Sequence, residues 1–178
     1  MKTQLIALLL TLSSSLLAQS QDTNKIVEFD ISGGKKVKCM VSDTGEPLPA
    51  ESGPYKVSVA GMMLNREEGA NDAFLIFTFG LKLSTDKLPT RITVEDVSGT
   101  KAVTLIDSKA PKVAKGSWKD DAKPLLISKE TSPWLYTAEP TLKIFRITVS
   151  VKGAKDVILY QPTRYATTTK KMIVEIAE

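Results

Sequence analysis

Two tryptophans, a tyrosine and two aspartates lie close together in the sequence: Trp118, Asp120, Asp121, Trp134 and Tyr136, with Lys123 among them. Exposed aromatic rings can stack on the apolar faces of sugar rings, while carboxylates accept hydrogen bonds from sugar hydroxyls. The cluster is therefore a candidate ligand site, with Trp118, Trp134 and Tyr136 as platforms and Asp120 and Asp121 as acceptors. The competing reading is that each tryptophan plugs the end of a core and buries its ring.

The other constellations carry less chemistry. Asp120 or Asp121 with Glu95 or Asp96 would give the two carboxylates of a glycoside hydrolase, which face each other about 5 to 9 Å apart across a cleft. Glu95 and Asp96 cannot serve as that pair together, because neighbours on a strand point to opposite faces. The polar loop Asn65 to Asp72, with Glu67, Glu68 and Asn71, lacks the alternating acidic spacing of an EF-hand and reads as a solvated hairpin tip. There is no histidine in the chain. That removes the commonest general base, the commonest neutral metal ligand and the usual partner of a serine or cysteine nucleophile. A zinc site would have to be built from carboxylates. The expectation is a protein without catalytic residues, metal or cofactor.

Cys39 is the single cysteine, so no internal disulfide is possible. It falls in phase with Val37 and Val41, which marks it as a small buried hydrophobe, and Lys36 and Lys38 lie on the other face. Basic residues are scattered along the chain and form no stripe for nucleic acid.

Residues 1–20 read as an export signal. Lys2 gives the positive start, Leu5 to Leu12 the apolar stretch and Ala18-Gln19-Ser20 the small-x-small cleavage site; a cut after Ser20 leaves Gln21 first in the mature chain, and a cut after Ala18 is the alternative. The apolar run is shorter than the roughly 20 residues that span a bilayer, so no transmembrane anchor is expected. Removing 20 of the 178 residues leaves 158, and loss of Lys2 takes the formal charge from +4 to +3. A chain of that length, 21–178, suits one domain and can bury about two-thirds of its unfolded surface without disulfides.

The elements that must position these residues are strands. In Thr141 to Val151, Phe145, Ile147, Val149 and Val151 alternate with Arg146, Thr148 and Ser150. That is the period of a half-buried strand. Leu142 and Ile144 have the opposite phase, which implies a bulge or a strand start buried on both faces. Ala73 to Leu83 is apolar on both sides and reads as a central strand, the expected packing partner of Thr141 to Val151. Ile26 to Ile31 and Lys36 to Val41 form a hairpin around Gly33-Gly34. Arg91 to Val97 and Lys101 to Asp107 form another around Ser98-Gly99-Thr100. Tyr55 to Val59 alternates as well. Residues 108–140 are the least regular, with short strands at Pro124 to Ile127 and Trp134 to Thr137. After Gly153 the chain returns through Val157 to Tyr160, loops over Pro162 to Thr169 and ends on an alternating Lys171 to Ala177. Lysines 170 and 171 read as protection of an exposed edge, or as a site of strand addition.

About ten strands near ten residues apart, with little helix, indicate an antiparallel sandwich or a barrel; uneven strand lengths and varied connections favour the all-β antiparallel β-sandwich. IFRITVSV followed by a glycine turn resembles strands of immunoglobulin-like and fibronectin-type domains. The likeness covers one strand and its turn and lacks the Cys-Trp-Cys spacing. Transthyretin-like and jelly-roll sandwiches share the pattern. The function expected is that of an exported, non-catalytic protein, periplasmic or extracellular, that binds a partner or serves a structural role at the cell envelope. The alternative is a carbohydrate-binding module using the aromatic surface of 108–140. The partner is thus a protein or a glycan.

Overall fold

The computed structural model describes residues 24–65, 73–123, 125–128 and 141–165. The expected signal segment, the tip of the acidic loop, Trp134, Tyr136 and the alternating C-terminal stretch lie outside the described residues. Those that are described form strands and connections, with no helix among them.

Among the described residues eleven strands follow one another: β1 Lys25–Ile31, β2 Lys35–Val41, β3 Glu51–Ser52, β4 Tyr55–Asn65, β5 Ala73–Leu83, β6 Arg91–Asp96, β7 Val103–Lys109, β8 Ser117–Asp121, β9 Leu125–Ser128, β10 Thr141–Ser150 and β11 Val157–Tyr165. All pairings are antiparallel. One sheet has the order β3-β4-β5-β8, with β9 also pairing β5. A second has the order β11-β10-β6-β7, and β1-β2 stand as a separate hairpin. The described residues are all-β, as their periodicity predicts.

Period two explains the main core. On β5, Phe77, Phe79, Leu81 and Leu83 are buried; on β10, Phe145, Ile147 and Val149 are. Tyr55 and Val57 of β4, Ile92 and Val94 of β6 and Leu159 of β11 join the same cluster. Residues of both large sheets thus share one apolar interior, and Phe145 lies against Phe77 and Phe79 at 4.9 Å from each ring. Each fully buried aromatic or aliphatic side chain contributes about 1.5–3 kcal/mol.

The phase slip in β10 has a definite cause. Ile144 and Phe145 are consecutive and both buried, on opposite faces. Phe145 enters the main core, while Ile144 packs with Ile31 and Val97 under the β1-β2 hairpin. The register of β10 runs unbroken against both neighbours. The irregularity belongs to the adjoining pair β6-β7, between Val94 and Glu95, where Leu105 is passed over and both Leu105 and Ile106 are buried.

Both expected hairpins form. The β1-β2 turn needs left-handed backbone at two positions, and Gly33 and Gly34 take it with φ of 76° and 68°. Two other expectations are corrected. Residues 162–165 continue β11 instead of opening a loop. Pro162 is tolerated there because β11 is an edge strand. Trp118 lies in a strand, β8, within the stretch expected to be irregular, because its neighbours pair with β5 from Thr78 to Lys82.

Candidate functional site

Trp118 presents no ring face for stacking. That ring is 3% exposed and belongs to the main core. Trp118 pairs with Leu81 across β5-β8 and so shares its inward face; it plugs the core, as in the competing reading. Asp120 and Asp121 are exposed. Asp121 Oδ1 accepts the Thr78 hydroxyl at 2.6 Å, and Asp120 Oδ1 accepts the Asp121 N–H at 3.0 Å. Trp134 and Tyr136 lie outside the described residues.

Glu95 and Asp96 are committed to ion pairs. Arg146 Nε donates to Glu95 Oε2 at 2.8 Å, and its Nη2 forms an ion pair with the same oxygen at 2.7 Å. Lys143 Nζ donates to Asp96 Oδ2 at 2.7 Å, and the Ser98 N–H donates to Asp96 Oδ1 at 2.9 Å. Burial pushes the Asp96 carboxyl up, but the hydrogen bonds from Lys143 and Ser98, with the Lys143 charge, outweigh it and hold the group below the usual range. Among the described residues no group of three or more acidic, cysteine or histidine side chains is placed to hold a metal ion.

A groove of about 570 Å³ runs between β2 and β11. One side is β2, with Lys38 and Met40; the other is β11, with Ile158 and Tyr160; Leu48 and Pro49 close one end. Met40 and Ile158 are each 51% exposed, which places two large apolar side chains in solvent at its margins.

The backbone of β11 is oriented by Pro162, opposite Ile144. Ile144 turns its own groups toward β6: its carbonyl accepts from Val97 N–H at 2.9 Å, and its N–H donates to Ser98 Oγ at 2.7 Å. Ladder bonds between β10 and β11 therefore skip the 144–162 pair, and by alternation they skip Tyr160 and Ile158 as well. Those residues aim their N–H and C=O groups off the edge of the sheet. The Tyr160 carbonyl shows this by accepting the Cys39 thiol at 3.6 Å. On β2, Met40 does likewise, its carbonyl accepting from Leu48 N–H at 3.1 Å.

Cys39 lies between the two walls, 6% exposed, and burial pushes its thiol pKa up. It is a buried hydrophobe there, as its phase predicts.

Gln161 fixes the end of the groove. Its Oε1 accepts the Ala50 N–H at 2.7 Å, and its Nε2 donates to the Leu48 carbonyl at 3.2 Å and the Pro162 carbonyl at 2.6 Å. One buried amide thus holds the 48–50 segment against β11. Sequence reasoning missed the groove because its walls come from distant stretches; the visible signal was a glutamine beside a proline in an otherwise apolar return strand.

Comparison with protein-family models, with curated proteins and with solved structures finds no match to this chain.

Proposed function

We propose that this is an exported protein whose two large sheets form an antiparallel, immunoglobulin-like or related sandwich, and which binds a partner protein at the cell envelope or outside the cell. The N-terminal pattern of Lys2, Leu5 to Leu12 and Ala18-Gln19-Ser20 supports export. The contact of Phe145 with Phe77 and Phe79 supports face-to-face sheets. Binding rests on one observation: the β2-β11 groove presents Met40 and Ile158 to solvent, beside the outward-facing β11 backbone at Ile158. Interfaces take their affinity from a few such apolar anchors, and open strand edges supply main-chain hydrogen bonds.

The test pairs a charge insertion with a capture experiment. Met40→Asp with Ile158→Asp leaves the core intact, so the melting temperature stays within a few degrees. Capture of a specific partner from the exported fraction of the native host is lost with this variant and retained by the wild type. Undiminished capture by the double variant would remove the groove from the account.

A further inference from the structure

The outward face of β4-β5-β8 carries a second, chemically different surface. Lys56 stands directly opposite Lys82, and Lys82 opposite Ser117. One pair further along, Ser58 faces Gly80 and Gly80 faces Lys119; beyond that, Ala60, Thr78 and Asp121 form the next row. All these positions alternate with Val57, Phe79, Leu81 and Trp118, which point into the core.

Three features of this face belong together. Like charges directly opposite each other on neighbouring strands destabilise a sheet, yet Lys56 and Lys82 are so placed. Lys56 is relieved by an ion pair with Glu51. Lys82 and Lys119 have no ion-pair partner among the described residues. Between them the face is hollow, about 430 Å³, lined by Ser58, Thr78, Gly80, Lys82 and Lys119 among others. Gly80 has no side chain to fill the hollow, and a Cβ there would meet the Ser58 hydroxyl.

We infer that this face binds an anionic polysaccharide, its carboxylates or sulfates held by Lys82 and Lys119 and its hydroxyls by Ser58, Thr78 and Asp121. The occupant follows from what the face offers. Val59, Leu81 and Trp118 also line the hollow, but Leu81 and Trp118 are buried and Val59 is packed against the core, so the floor of Ser58, Ala60, Thr78 and Gly80 offers no exposed aromatic ring. Protein interfaces are anchored by such side chains and are depleted in lysine. Single-stranded nucleic acid requires stacking rings, and membrane insertion requires apolar ones. A charged, hydroxyl-rich sugar chain needs neither: lysines meet its anions as point charges, and short hydroxyl side chains meet its hydroxyls. This surface is separate from the β2-β11 groove and does not rest on the partner reading above.

The experiment measures equilibrium binding of the full exported protein to alginate and to dextran sulfate in about 0.15 M salt, where long-range attraction between exposed charges is largely screened. Neutral dextran and duplex DNA serve as comparators. The wild type binds at least one acidic polysaccharide, binds DNA more weakly and does not bind dextran. Lys82→Gln with Lys119→Gln weakens binding roughly tenfold or more, the loss expected for charge-assisted contacts. Gly80→Val fills the hollow and weakens binding with every charge in place, while Lys152→Gln with Lys155→Gln, in the exposed β10-β11 turn, changes nothing. The exposed lysine variants fold whether or not Gly80→Val does, so they decide the question alone. The inference is overturned if the wild type binds neither acidic polymer, if DNA binds as tightly, or if the 82/119 variant binds like the wild type. A loss at 152/155 as large as at 82/119 would overturn it too.

Discussion

Phe145 of β10 meets Phe79 of β5 edge-on, with ring centroids 4.9 Å apart and planes at 85°. The two residues come from different sheets and from positions far apart in the chain, and neither ring is more than 1% exposed. This contact, repeated by Phe145 on Phe77, holds the scaffold that carries both surfaces. Phe145→Ala should therefore lower the unfolding free energy by about 3–5 kcal/mol, and Phe145→Leu by clearly less. Urea denaturation reads both. A near-neutral alanine variant would place this ring outside the core.

The Asp96–Lys143 pair gives a pH signature. The folded Asp96 carboxyl is held below its unfolded value of about 4, so its stabilisation is present above that pH and lost as pH falls through the folded value. Asp96→Asn should cost about 1–3 kcal/mol near pH 7, because Lys143 and the Ser98 N–H each lose a charged partner. The difference from wild type should shrink steadily as the pH is taken below 4. A gap that stayed constant into acid would mean that the ionised carboxylate contributes nothing.

Gln161→Ala should loosen the end of the groove. Removing the amide leaves the Ala50 N–H and the Leu48 carbonyl without their partner, at about 1–3 kcal/mol for each group left buried. Hydrogen exchange at Ala50 should accelerate well beyond the change at Val94, in the middle of β6. Equal protection at both sites in the variant would show that the 48–50 segment is held by something else.

Cys39 should be slow to react. Burial raises its thiol pKa and only 6% of the residue is exposed. Alkylation by iodoacetamide at pH 8 should therefore proceed far faster in urea than in the native protein. Native reactivity matching that of the unfolded chain would place the thiol at the surface.

The fold was legible wherever burial follows a local period. The alternation in Phe77–Phe79–Leu81 and in Phe145–Ile147–Val149 is written in the residues themselves, and so are the Gly33-Gly34 turn and the burial of Cys39. The opposed phase of Ile144 was visible too, although only the hairpin packed over it distinguishes a two-sided strand from a bulge. What could not be read was anything depending on which strand lies beside which. Trp118 could be read as a surface platform or as a core plug, because its neighbours Lys119, Asp120 and Asp121 are polar; only the pairing of β8 with β5 turns the ring inward. Pro162 looked like a strand terminator because a proline is compatible with a strand only at an edge, and edge position is a property of the whole sheet. The lysine face combines positions 56, 82 and 119, and the groove combines 40 with 158. No local pattern joins them.

The most direct test of the groove is site-specific photo-crosslinking in the exported fraction of the native host. A photoreactive residue at position 158 is compared with one at position 103, where Val103 is similarly exposed, at 54%, on β7 at the far edge of the same sheet. A discrete adduct with one partner protein is expected from position 158 and none from position 103. No adduct at 158, or the same adduct from both positions, would contradict it.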